Sequence, residues 1–124
     1  VGPLAVRLAD EFDDGTAREA LVVVEALDDL VGDAEYELQR LFRSARAAGA
    51  FVLIEGEVGL MSQSYGIAKE ARASRQALVL QPDAADLEAM SGFPSGRLDP
   101  SAFPPGRGFL CLASGYERVQ VAVA

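Results

Sequence analysis

Apolar residues along the chain are gathered into short runs separated by polar, turn-forming segments, and the spacing inside each run predicts its element. Leu21 to Val24 is a β-branched run bounded by polar residues, the pattern of a central strand buried on both faces of a parallel sheet. Leu38, Leu41, Phe42 and Ala45 recur at helical spacing, with Arg40, Arg43 and Arg46 fanning over the opposite side. An amphipathic helix is therefore predicted over about Ala34 to Ala48. Its ends carry matching signals: Asp33 as cap, Glu35 and Glu37 in the positive first turn, Arg43 and Arg46 towards the negative end, Gly49 as the stop. Phe51 to Ile54 reads as a second buried strand, and Gly59 to Ala73 as a second helix with an apolar seam through Leu60, Met61, Tyr65 and Ala68. Ala77 to Leu80 reads as a third strand. A short helix is expected from Pro82-Asp83 to about Met90, followed by an irregular connection over Ser91 to Gly108, where most of the prolines lie. Gly108 to Ala113 and Arg118 to Val123 flank the turn Ser114-Gly115-Tyr116-Glu117 and predict a terminal β-hairpin. Ahead of all these, Leu4 to Leu8 precedes the acidic, turn-forming Asp10 to Gly15 and fits either a strand or a fraying helix.

The alternation of strand, helix, strand, helix, strand demands right-handed crossovers and a parallel sheet flanked by helices, so the fold class is α/β. With 124 residues, 50% of them apolar, the chain is sized for one core. Residues 1–124 are expected to form a single domain, with a poorly assigned leader over 1–20 and a Pro/Gly-rich connection over 91–107. No apolar stretch approaches the roughly 20 residues of a membrane-spanning helix. The opening Val1-Gly2-Pro3 lacks an initiator methionine and a signal sequence, which leads us to expect a fragment of a longer protein.

Charge and residue chemistry narrow the functional classes. A net charge of −8 opposes a whole-domain electrostatic grip on nucleic acid. The absence of histidine excludes His-based metal ligation, Ser-His-Asp triads and Cys-His pairs. The single cysteine, Cys111, sits in the strand-like FLCLA and reads as a small buried hydrophobe rather than a nucleophile, in keeping with a reducing compartment. Lys69 is the only lysine, and its surroundings, YGIAKE, have neither the glycines nor the hydroxyl of a phosphate-binding loop.

The order of motifs resembles the C-terminal half of an FtsK/SpoIIIE-type P-loop ATPase domain, with the actinobacterial multi-domain members, including EccC-like motors of type VII secretion, as the nearest relatives. The matching pieces are LVVVEALDDL, the helix and strand ELQRLFRSARAAGAFVLIEGE, the segment ASRQALVLQPDAADLEAM, and the closing PPGRGFL followed by VQVAVA. They cover nearly everything from about Ala20 onward. The resemblance implies a three-layer P-loop-ATPase-like parallel sheet flanked by helices, with a C-terminal β-hairpin.

The same resemblance shows where the chain departs from a working ATPase. In the family the LVVV strand ends in two acids, one supporting Mg²⁺ and one polarising the attacking water. Here Glu25 and Ala26 stand in those places, and alanine accepts no proton. Asp28 and Asp29 lie further along, several ångström from the strand tip. The next strand ends in Glu55-Gly56-Glu57 where active relatives carry a polar sensor of the terminal phosphate, and extra carboxylates there would repel a triphosphate. The candidate cofactor-facing residues are therefore Glu25, Asp28 and Asp29, at a degenerate tip. No catalytic residue is assigned.

Other constellations have a functional and a plain reading. Glu25, Asp28, Asp29 and Asp33 offer oxygen ligands but lack the alternating pattern and glycine of a calcium loop, so a solvated loop is the simpler account and no metal site is assigned. Arg40, Arg43 and Arg46 form a ridge suited to phosphates or a neighbouring subunit, or else a solvated face with Glu37 pairing to Arg40. Arg97 and Arg107 bracket the proline-rich connection and could face an adjacent protomer's nucleotide. Ser62 and Ser64 read as helix-initiating hydroxyls rather than nucleophiles.

The expected function is a non-catalytic, degenerate ATPase module of a membrane-associated FtsK/SpoIIIE-like translocase, with structural, regulatory or cargo-recognition roles. By resemblance, no cofactor belongs to this chain, while Mg-ATP belongs to the parent. Partners are other ATPase modules in a ring-type homo-oligomer, and DNA or secreted protein as cargo. The expected location is the cytoplasmic face of the cell membrane, reached through the parent without insertion of this segment. The alternatives are a fragment of an active motor whose phosphate-binding loop lies outside this chain, and a stand-alone interaction module using the arginine ridge.

Overall fold

The structure, a computed structural model, describes residues 1–122. They gather into two compact units, residues 1–71 and 72–124. In the first unit the element order is α1 (Gly2–Asp13), β1 (Leu21–Val24), α2 (Leu27–Ala47), β2 (Phe51–Ile54), α3 (Val58–Met61) and α4 (Gly66–Ala71). The leader is thus a helix. Pro3 occupies its first turn, and Ala5, Ala9 and Phe12 recur at helical spacing on the buried side. That stripe meets Ala34, Leu38, Leu41, Phe42 and Ala45 of α2 in one apolar cluster.

Strands β1 and β2 pair in parallel, with Leu21 opposite Phe51, Val22 opposite Val52, Val23 opposite Leu53 and Val24 opposite Ile54. Val22, Val24, Val52 and Ile54 turn towards the cluster. The expectation of strands buried on both faces is corrected here: Leu21, Val23, Phe51 and Leu53 are 64%, 51%, 80% and 60% exposed. The crossover helix α2 contacts the sheet at β2, and the cluster holds only the even-numbered residues of the two strands, so the other face stays open.

Helix α2 begins at Leu27 but is two helices meeting at Ala34, so the helix predicted from Ala34 is present and an unpredicted stretch over 27–33, ending at Asp33, runs into it. Ala34 itself has φ −145° and ψ 23°, a kink inside the helix. Burial of Leu27, which is fully inaccessible, holds the extra turns against the core. The helix predicted over Gly59 to Ala73 divides into α3, α4 and a 3-10 turn at Arg72–Ser74. Glu35 causes part of this division: its Oε1 accepts the Ile67 amide at 3.3 Å and starts a separate helix. Ile67 and Ala68 are then the buried positions, whereas Tyr65, expected in the seam, is 68% exposed.

The second unit contains β3 (Ala77–Leu80), α5 (Ala84–Ser91), a 3-10 turn at Pro100–Ala102 inside the proline-rich connection, β4 (Arg107–Leu112) and β5 (Gly115–Gln120). Asp83 and Asp86 close a capping box on α5. The third strand does not extend the parallel sheet: β3 pairs antiparallel with β4, Leu78 opposite Leu110, and β4 pairs antiparallel with β5. The terminal hairpin is present, with its turn at 113–114 and its second strand starting at Gly115, ahead of the expected Arg118. The predicted strand end at Val123 lies outside the described residues. Gly108 makes the β3–β4 pairing possible, since a Cβ there would overlap the Val79 carbonyl. Val79, Leu87, Phe103, Phe109 and Cys111 are buried in this unit. Phe109 lies tilted by 42° against Phe103, ring centres 5.3 Å apart, and makes a T-shaped contact with Tyr116 at 5.2 Å, with the Arg118 guanidinium over both phenylalanine rings.

Candidate functional site: the tips of the parallel strands

The C-terminal ends of β1 and β2 bring together the residues singled out in the sequence, because parallel strands in register end side by side. The backbone ties the two tips: the Glu55 amide donates to the Val24 carbonyl at 2.8 Å, and the Leu27 amide donates to the Glu55 carbonyl at 3.0 Å. Ala26 sits between them in a left-handed conformation, φ 49° and ψ 55°, which is costly for a residue with a Cβ. Its amide donates to Oε2 of Glu55 at 2.6 Å. In the other direction, Oδ2 of Asp28 accepts the Glu57 amide at 2.7 Å. Gly56 lies between these bonds, and a Cβ there would stand 3.1 Å from Asp28 Oδ2, so the absent side chain leaves room for the crossing.

The tip is therefore a reciprocal latch, in which each loop's carboxylate takes an amide of the other loop. Charge-assisted bonds of this length are stronger than neutral ones. Glu25 and Asp29 lie exposed beside the latch. Of the three candidate cofactor-facing acids, Asp28 is thus engaged internally. Glu55, noted in the sequence only as a repelling charge, has the further role of holding Ala26. Among the described residues, no three acidic or sulfur-bearing groups converge into a cation cage.

The arginine ridge of α2 is bound into its own unit. Arg40 reaches across to α1 and pairs with Asp10 at 2.6 Å and Asp13 at 2.8 Å, in place of the expected Glu37. Asp13 also accepts a hydrogen bond from the buried Ser44 hydroxyl, and Ser44 foremost, with Arg40, holds its carboxyl below the usual aspartate range. Arg43 and Arg46 both pair with Glu70 of α4, at 3.4 and 2.7 Å, and Arg46 also donates to the Glu70 carbonyl. Sequence spacing gave no sign of Glu70, since the contact spans 24 and 27 positions. Arg107 donates from Nε to Gln120 at 3.1 Å and from its terminal nitrogen to the Ala102 carbonyl at 3.3 Å, closing the base of the hairpin. Arg97 is exposed on the connection. The Ser62 hydroxyl bonds back to the Gly59 carbonyl at the C-terminal end of α3, so it closes a helix where the sequence pattern predicts that it starts one.

A small parallel sheet, flanking helices and a C-terminal antiparallel hairpin define an α/β fold of ATPase-like type. Among solved structures, the chain is similar to Thermomonospora curvata EccC, its ATPases 2 and 3 in complex with a signal sequence peptide, at 22% identity and a TM-score of 0.56. That likeness covers 86% of this chain but 19% of the other, so the chain spans about a fifth of its neighbour's length. At this identity the likeness establishes the fold. No family model and no curated protein matches the chain.

Proposed function

We propose that this chain is a catalytically degenerate ATPase-fold module of an FtsK/SpoIIIE-like translocase, acting in structure, regulation or cargo recognition. One observation carries the reading: at the strand tip where the resemblance places the water-polarising acid stands Ala26, with its amide already bonded to the Glu55 carboxylate. A methyl group polarises no water, and two of the acids around it, Glu55 and Asp28, are occupied by the chain's own amides, while Glu25 and Asp29 lie exposed beside them. The residues present do not fit Mg-ATP. No glycine-rich lysine loop is found in the sequence, and negative charge at the tip opposes a triphosphate. Mg-ATP is accordingly assigned to other modules of the parent.

The fold likeness to a solved multi-ATPase EccC supports a place among tandem ATPase modules, and the signal sequence peptide bound to that protein supports a secreted protein as the cargo. No described helix is long and apolar enough to cross a membrane, which fits a segment held at the cytoplasmic face through its parent. Ring assembly is part of the same proposal.

The test is a thermal-shift titration of the chain with Mg²⁺-ATP. A ligand at 100 times its dissociation constant adds about 2.7 kcal/mol to stability. A flat response up to millimolar nucleotide is expected. A concentration-dependent rise in Tm that disappears in Glu25→Gln would overturn the reading and favour an active motor fragment.

A further inference from the structure

The open face of the parallel strand pair carries an inference that does not depend on whether the strand tips bind nucleotide. Leu21, Val23, Phe51 and Leu53 form two cross-strand pairs on one side of β1 and β2, each residue at least half exposed. Four contiguous large apolar side chains are unlike the scattered single hydrophobes of an ordinary surface, and parallel sheets are ordinarily covered by helices on both faces.

Charge decides what covers it. Residues 1–71 contain fourteen acidic and six basic residues, so this unit carries the whole net charge of −8, while residues 72–124 hold five of each sign. Five of the six basic groups are turned inward on their own unit: Arg7 on Glu11, Arg18 on the Gly15 carbonyl, Arg40 on Asp10 and Asp13, Arg43 and Arg46 on Glu70. At the C-terminal margin of the face, one residue past each strand, stand two exposed acids, Glu25 and Glu55, the latter keeping its charge while it accepts the Ala26 amide. Two copies of such a unit would bring like charges together, and a nucleic acid would be repelled.

We infer that this face docks an amphipathic helix whose apolar stripe covers Leu21, Val23, Phe51 and Leu53 and whose flanking lysines or arginines meet the acidic margin. From Leu21 to Glu25, one residue past the strand, extended chain spans about 13 Å, so two to three helical turns span the face. Apolar burial supplies the affinity, and the charges set polarity and discriminate against acidic helices.

The probe is a fluorescein-labelled peptide of about fourteen residues with leucines at helical spacing and lysines between them, and its counterpart with glutamates in place of lysines. Binding to the full 124-residue chain is read by anisotropy at physiological salt. The lysine peptide is expected to bind at least tenfold tighter than the glutamate peptide, and at least tenfold tighter to the native chain than to Phe51→Ser/Leu53→Ser. Both substitutions fall on exposed positions, and Leu21→Ser/Val23→Ser reads the same face should the first pair fail to fold. Undiminished binding to these variants would overturn the inference in favour of diffuse acidic capture. Equal binding of the two peptides, no binding at all, or a native dimer that the variants dissolve would overturn it as well, the last by making a second copy the occupant.

Discussion

The amide of Ala26 donates to the Glu55 carboxylate at 2.6 Å across the parallel strands, and this bond holds an alanine in the left-handed region, φ 49°. Glu55→Ala removes a charge-assisted acceptor at an exposed site and is expected to cost about 1 kcal/mol, with Glu55→Gln costing less. Ala26→Gly relieves about 1–2 kcal/mol of backbone strain against about 0.5–1 kcal/mol of added chain entropy, so it should stabilise the fold by roughly 0.5 kcal/mol. Urea denaturation of the three variants checks the signs.

Glu70 joins two guanidinium groups with its own side chain only 17% exposed, whereas the Arg7–Glu11 pair lies 69% and 42% exposed. Glu70→Ala is expected to destabilise by about 1–3 kcal/mol, since both arginines lose their carboxylate, while Arg7→Ala should change stability by less than about 0.5 kcal/mol. The contrast is measured by chemical denaturation, and a similar loss in both variants would contradict it.

A methyl group at position 108 would overlap the carbonyl of Val79, which is backbone and cannot rotate away. Gly108→Ala should therefore cost about 3 kcal/mol or more by prising β3 from β4. Loss of amide protection at Val79 and Gln81, whose amides face β4, with protection at Val22 and Leu53 retained, is the expected pattern in hydrogen exchange.

Three exposed aspartates titrate below the ordinary range: Asp13 through Ser44 and Arg40, Asp14 through the hydroxyl and amide of Thr16, and Asp99 through those of Ser101. A carboxylate that is more acidic folded than unfolded stabilises the fold above its unfolded pKa, about 3.9, and that contribution is lost as pH falls through the folded value. With no histidine to titrate, the urea midpoint should hold steady from pH 7 to about 5 and fall below about pH 4. Asp13→Asn should lessen the acid slope.

Cys111 is 2% exposed, and burial pushes its thiol pKa up. The thiol is expected to react with a colorimetric disulfide reagent at neutral pH only in denaturant. Rapid labelling of the native chain would contradict the packing of β4.

Local pattern was enough for much of this chain. The stripe Leu38, Leu41, Phe42 and Ala45, the strand runs at 21–24 and 51–54, the capping residue Asp83 and the C-terminal hairpin follow from periodicity and end signals acting over a few residues. The gathering of Asp28 and Glu55 at one edge was implied once two strands were expected in parallel, though not that each would bind the other's loop. A hydrogen bond between positions 26 and 55 depends on side-chain direction at the ends of strands, where the alternation gives way to loops.

The α/β class, the acidic charge and the alanine at the strand tip were determined by the sequence itself, because each depends on residue type and near-neighbour spacing. Tertiary structure alone decided that β3 joins the hairpin, that Arg40 pairs with α1 and Arg43 and Arg46 with Glu70, and that one sheet face stays open. Strand pairing and ion pairing are choices among partners far apart in the chain, and burial on a second face depends on whether a covering element exists. A run such as Leu21 to Val24 carries the same apolar pattern with or without that cover.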